Sequence, residues 1–140
     1  MKRSVVILAI LMSIYSLNIK AQCGGTTVNK TTVATSIGMV ISSNDCETVW
    51  NAMRLANYSI EQGDTVSIFL LGKGVELSTL DNKTFKIEEQ TETFLKKGGK
   101  ILACGTCLQS RNNNNPKMCT ISSMGELYNL IRTNKVVLTF

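Results

Sequence analysis

Two cysteines separated by two residues are the part of this sequence best suited to chemistry. Cys104 and Cys107 directly follow a short apolar segment, residues 100–103, which predicts a buried strand. Two thiols at this spacing can close a disulfide, carry sulfur as a persulfide or bind a metal. At the carboxyl end of a strand they would face the crevice where open α/β sheets bind ligands. The spacing therefore indicates thiol chemistry but does not name a substrate.

The sequence contains no histidine, which excludes several classes of site. A Ser-His-Asp triad, a Cys-His pair and a His-ligated zinc cannot form within the chain. A reactive thiol would have to be activated by a helix N-terminus, by backbone N–H groups or by a nearby cation such as Lys100 or Arg111. We expect no cofactor and no bound metal.

Two familiar kinds of cysteine site remain as alternatives. Cys46, Cys104, Cys107 and Cys119 would together suit zinc, but the sequence lacks the second closely spaced pair typical of such sites. In a thioredoxin fold the dithiol opens a long helix early in the chain and faces a cis-proline. Here the pair follows the third predicted strand, no helix is predicted after it, and the only proline, Pro116, lies in an Asn-rich loop. Both alternatives are disfavoured.

Residues 1–21 have the pattern of a bacterial signal peptide. Lys2 and Arg3 precede a mostly apolar segment, 4–17, which is short for a membrane span, and Ala21 stands at the expected cleavage site. We therefore expect a periplasmic or secreted protein, residues 22–140, with no membrane association after cleavage; the alternative is an uncleaved membrane anchor. In an oxidising compartment, five cysteines leave at least one thiol unpaired within the chain.

The charge balance argues against a nucleic-acid partner. Three of the 15 basic residues lie in the signal segment and none of the 10 acidic ones does, so residues 22–140 carry 12 basic and 10 acidic residues. No basic stripe with interleaved aromatic residues is present. We expect no nucleic-acid binding.

Apolar strands alternate with amphipathic helices along residues 22–140, which predicts a single α/β domain. The expected architecture is a three-layer α/β/α fold with a mostly parallel sheet of about five strands, covered on both faces. The strands are predicted at 36–41, 65–71, 100–103, 118–121 and 135–140, and the helices after 44, at 75–80, at 87–97 and after 123.

The helix ends and faces can also be predicted. Asn44 is expected to cap the first helix, with Glu47 three residues later, and Cys46 falls on its apolar face. Ser123 and Glu126 form a similar pair before the last helix. The inner face of that helix is expected to carry Met124, Leu127, Leu130 and Ile131. Residues 108–117 are expected to be irregular.

Several stretches, taken in order, resemble the DsrE/DsrF-like family of small α/β sulfur-relay proteins. The resemblance covers about residues 36–140, and its motifs lie at 51–56, 69–75, 99–107 with Arg111 beyond, and 126–140. It implies that Cys104 accepts sulfur as a persulfide, with Cys107 as its partner thiol. It also implies a homo-oligomer, a trimer or hexamer, and a protein that donates or accepts sulfur. The Asn-rich segment after Arg111 and the export signal depart from the family pattern and argue against a role in tRNA thiolation.

Two other functions remain open on sequence grounds. The pair Cys104 and Cys107 could be a structural disulfide in a non-catalytic oligomeric binding module. It could also serve a periplasmic dithiol oxidoreductase.

Overall fold

The computed structural model describes residues 33–80 and 83–140; the predicted signal segment and Cys23 lie outside these residues. Every strand pairing in this part of the chain is parallel, in the spatial order β4-β3-β2-β1-β5. The predicted three-layer α/β fold is confirmed. The strands are Ser36–Ile41 (β1), Thr65–Leu70 (β2), Lys100–Cys104 (β3), Thr120–Ser122 (β4) and Val136–Thr139 (β5).

Four α-helices and one 3₁₀ helix connect the strands of the described chain. They are Cys46–Glu61 (α1), the 3₁₀ helix Gly72–Thr79, Ile87–Lys96 (α2), Gly105–Gln109 (α3) and Met124–Thr133 (α4). Right-handed crossovers that advance from β1 to β3 place α1 and α2 together on one face of the sheet. α4 runs back from β4 to β5 and packs on the opposite face, where a Cβ at Gly38 would lie only 2.5 Å from Leu130 Cδ2.

The core lies around the three central strands. Met39, Ile68 and Phe69 are fully buried, as expected of strands covered on both faces. β5 is an edge strand, and its Val136 and Val137 are 40% and 37% exposed. Helices therefore cover both faces of the central strands, as expected, whereas both edge strands are more exposed; Ile121 on β4 is 53% exposed.

No helix within residues 33–80 and 83–140 combines the length and the apolar character needed to cross a bilayer.

The first helix begins one residue later than predicted. Asp45, not Asn44, is its N-cap: the Asp45 Oδ1 accepts a hydrogen bond of 2.8 Å from the Thr48 backbone N–H. The Asn44 side chain instead donates to Glu76 Oε2 at 3.0 Å. Cys46 is half-buried against the core, and its thiol donates to the Leu80 carbonyl at 3.2 Å.

The predicted inner face of α4 is half right. Leu127 and Leu130 are buried, but Met124 and Ile131 are 60% and 48% exposed. The apolar stripe of this helix is wider than the sheet surface beneath it, so one side faces outward together with Tyr128. Ser123 holds the N-cap position without a side-chain capping bond, so the predicted capping box does not form.

Candidate functional site

Cys104 ends β3 and also forms the N-cap residue of α3. Because the described strands are all parallel, Cys104 lies at the end of the sheet that is formed by the carboxyl ends of the strands. The prediction that no helix follows the cysteines is wrong, since residues 105–109 are helical. The helix is too short to be stable alone, and its Leu108 is only 1% exposed, so packing against the core holds it in place. Residues 110–117 are irregular, as predicted.

The two thiols differ in their surroundings. Cys104 is buried at 6% exposure, whereas Cys107 is half-buried. Both are free thiols, and the Cys107 Sγ accepts a hydrogen bond of 3.3 Å from the Gly72 backbone N–H. The two cysteines thus lie at the same strand end but are held by different groups.

Burial raises the pKa of the Cys107 thiol above its usual value. A hydrogen bond with the Cys104 thiol raises this pKa further, while the Gly72 N–H and the Arg111 charge oppose the rise. Cys107 is therefore a protonated thiol at neutral pH. A protonated thiol is a weak nucleophile, so Cys107 needs to lose its proton before it can attack another sulfur.

Arg111 folds back towards the cysteines, but its charge is paired. Its Nη1 donates to the Cys107 carbonyl at 3.1 Å, and its Nε donates to Glu76 Oε1 at 2.6 Å. The hydrogen bond from Arg111, followed by that from Asn44, lowers the pKa of the Glu76 carboxyl, which is therefore ionised at neutral pH. Lys100 begins β3 and lies at the opposite end of the strand, so its predicted role in thiol activation is wrong.

A cavity of about 410 Å³ opens beside Cys104. Among the described residues that line it there is no charged side chain. Gly105 forms a close contact on one side: a Cβ there would lie 3.3 Å from the Ser122 carbonyl oxygen. The lining residues are Leu71, Cys104, Gly105, Thr106, Cys107, Ser122, Ser123 and Met124.

Cys119 does not join the other two thiols. It precedes β4, and the pairing of Ala103 with Ile121 places it level with Ile101, three residues or ~10 Å along the strand from Cys104. At this distance the Cys119 thiol cannot reach Cys104 to resolve a persulfide or mixed disulfide there. Burial raises the pKa of the Cys119 thiol.

The structure does not assemble the four-cysteine zinc site considered from the sequence. Within residues 33–80 and 83–140, no three Cys, Asp or Glu side chains converge to hold a metal ion. Cys46 contacts the Leu80 carbonyl rather than another thiol.

Several residues around the cysteines could not be found from local sequence. Gly72, Glu76 and Asn44 follow β2 or β1 and reach the site only because parallel strands end at one edge. The glycines at 72 and 74, directly after an apolar strand, were the sequence feature that could have marked this segment as part of the site. Ser122, Ser123 and Met124 complete the cavity from the end of β4.

Comparison with known proteins supports the fold. None of the curated proteins matches the sequence. Among solved structures, the YchN protein from E. coli is similar, with a TM-score of 0.67 and 20% identity over 77% of this chain and 100% of that one. A conserved protein of unknown function from Bacteroides thetaiotaomicron, BT1422, has a TM-score of 0.63 and 19% identity over 76% of this chain and 95% of that one.

At these identities the two structures establish the fold alone. The sequence model of the DsrE/DsrF-like family matches residues 36–140, which is three quarters of the chain and includes every strand and cysteine described above. The chain therefore belongs to the DsrE/DsrF-like family.

Proposed function

We propose that this protein carries sulfur as a persulfide on Cys104. The observation that supports this most directly is the position of Cys104, which ends a central strand, borders an uncharged cavity and lies beside a second thiol. Family membership supports a sulfur-relay type of role. Cys104 is the acceptor and Cys107 is the partner thiol in this proposal.

Loading of Cys104 needs no external oxidant if the donor already carries sulfane sulfur. The Cys104 thiolate attacks the outer sulfur of a donor persulfide, R–S–SH, so that a new S–S bond forms and the donor S–S bond breaks. The donor leaves as the thiolate R–S⁻, and Cys104 becomes Cys104–S–SH. An acceptor thiolate removes the outer sulfur by the same exchange, and Cys104 is regenerated.

Cys107 provides a second outcome for a loaded Cys104. When its thiol loses a proton, its sulfur can attack the inner sulfur of the persulfide, forming the Cys104–Cys107 disulfide and releasing HS⁻. The raised pKa of Cys107 makes this step slow at neutral pH and faster in alkaline solution. The persulfide on Cys104 should therefore persist near neutral pH.

We also propose an exported homo-oligomer, a trimer or hexamer, that exchanges sulfur with another protein. The signal-like residues 1–21 support export. The exposed apolar side chains of Met124, Tyr128 and Ile131 support association, since their spacing of four and three residues places them along one face of α4. Ile121, on the preceding strand β4, is exposed as well. The family relationship supports a sulfur donor or acceptor protein as partner.

Mass spectrometry of the reduced protein after exposure to inorganic polysulfide tests the proposal. We expect one added sulfur atom, located on Cys104 by peptide mapping and removed by dithiothreitol. Cys104→Ser should abolish the addition, while Cys46→Ser, a half-buried cysteine away from the cavity, should leave it unchanged. Sulfur found on another cysteine in wild-type protein, or unchanged loading in Cys104→Ser, would contradict the proposal.

A dithiol oxidoreductase remains a second candidate, because two free thiols separated by two residues lie together where β3 ends and α3 begins. In that case the protein would catalyse the reduction of insulin disulfides by dithiothreitol, and Cys107→Ser would abolish the activity. A sulfur carrier with Cys104 as acceptor would still load sulfur in Cys107→Ser.

A further inference from the structure

Cys107 is held at two points by the same 3₁₀ helix. The Gly72 N–H, at the start of that helix, donates to the Cys107 sulfur at 3.3 Å. Glu76, four residues later in this helix, accepts a hydrogen bond from Arg111, whose Nη1 donates to the Cys107 carbonyl at 3.1 Å. The sulfur and the backbone of one residue are thus fixed by a single element that follows β2.

The 3₁₀ helix is itself firmly placed. The Leu71 N–H donates to the Ile41 carbonyl at 2.9 Å, and a Cβ at Gly74 would collide with the same carbonyl group. Asn44, which follows β1, donates to Glu76 Oε2 at 3.0 Å. The segments after β1, β2 and β3 therefore meet at Glu76 and Arg111.

We propose that Glu76 and Arg111 are positioning residues, which keep the Cys107 sulfur against the Gly72 N–H and beside Cys104. Arg111 suits this task because its fork-shaped guanidinium donates to a carboxylate and to a carbonyl at the same time. Neither side chain lines the cavity beside Cys104, so neither is placed to contact a sulfur donor there.

A simple charge effect is the competing explanation, and it makes different predictions. If Arg111 acted only through its charge, removing it would raise the Cys107 pKa, and removing the Glu76 charge would lower it. If the two residues position Cys107, removing either one frees the thiol. A freed thiol is more exposed, and burial is the largest cause of its raised pKa, so its reactivity rises in both cases.

The test is the rate at which iodoacetamide alkylates Cys107 in the reduced full-length protein, measured by peptide mass mapping between pH 7 and 10. We expect Glu76→Ala and Arg111→Ala each to increase the rate at pH 8 by about fivefold, the equilibrium factor of one lost hydrogen bond. Arg111→Lys should behave like Arg111→Ala, because an ammonium group on a single stem cannot replace the fork. Glu76→Gln should stay near wild type, since its amide oxygen can still accept from Arg111.

Lys117→Ala is the matched control, because Lys117 is an exposed cation on the same groove as Arg111 and makes no hydrogen bond to Cys107. Circular dichroism establishes whether each variant is folded. If an alanine variant does not fold, the alkylation rates of Arg111→Lys and Glu76→Gln are compared instead, and they should be raised and unchanged, respectively. Opposite shifts for the two alanine variants, a wild-type rate in Arg111→Lys, or no change in any variant would overturn the proposal.

The contribution of this positioning to sulfur transfer rests on the proposed function, but the alkylation test does not. It is carried out without a sulfur donor, so a protein that accepts no sulfur can still confirm or overturn the roles of Glu76 and Arg111.

Discussion

Gly74→Ala should damage the site through a collision with the backbone of a neighbouring strand. The new Cβ would meet the Ile41 carbonyl oxygen and lie 2.8 Å from its carbon, whereas ordinary contact begins at 3.4 Å. Backbone atoms at the end of a central strand cannot move aside easily, so the 3₁₀ helix must shift away from β1. Overpacking of this kind costs about 1–3 kcal/mol of folding free energy.

The shift of the 3₁₀ helix should also change the surroundings of Cys107. The Gly72 N–H belongs to the displaced helix, so its hydrogen bond of 3.3 Å to the Cys107 sulfur should lengthen or break. We expect Gly74→Ala to lower the urea midpoint and to increase the alkylation rate of Cys107.

Gly63→Ala is the matched control for this variant. Gly63 has a φ of +96°, and a Cβ there would meet nothing within 4 Å. Placing alanine in this left-handed conformation costs about 1–2 kcal/mol of folding free energy. Gly63 precedes β2, at the end of the sheet opposite to the cysteines. Gly63→Ala should therefore lower stability to a similar degree and leave Cys107 unchanged. A Gly74→Ala protein as stable as wild type, or one with normal Cys107 reactivity, would refute the reasoning.

Two further predictions concern pH and association. The pKa values of Cys107 and Cys119 are raised by burial, so the folded protein binds protons more tightly than the unfolded chain; stability should fall as pH rises above the ordinary thiol pKa of about 8.5. Urea unfolding at several pH values between 7 and 10 measures this loss of stability. Cys119→Ala should make the free energy of unfolding depend less steeply on pH. A free energy of unfolding that rises over this range would contradict the burial argument. Tyr128→Glu should lower the oligomer mass in light scattering if α4 forms the interface, whereas Tyr58→Glu, on α1 and 49% exposed, should not. Equal effects of the two variants would argue against α4.

The sheet could be predicted because its strands carry their own signal. Segments such as 65–70 are almost continuously apolar, and the helices between them are amphipathic, which together specify a parallel sheet. The position of Cys104 at a strand end followed from the same pattern.

The missed features depend on tertiary contacts. The five residues of α3 contain no capping side chain, and their helix rests on the burial of Leu108. Glu76 and Arg111 are 35 residues apart and meet only through the order of the strands. Periodicity identified the apolar positions of α4, but it could not show that the sheet covers Leu127 and Leu130 and leaves Met124 exposed.

The place of Cys104 at the end of β3 ties the site to the accuracy of strand pairing. Ala103 is paired with Leu70 on one side and with Ile121 on the other, and these pairings set the level at which Cys104 leaves the sheet. A slip of β3 by one residue would turn Cys104 to the opposite face and bring Ala103 or Gly105 to the cavity. A protein misfolded in this way could keep its secondary structure and still be unable to present the thiol. Correct register is therefore a condition for the proposed thiol chemistry that far-ultraviolet circular dichroism, which reports secondary structure, would not detect.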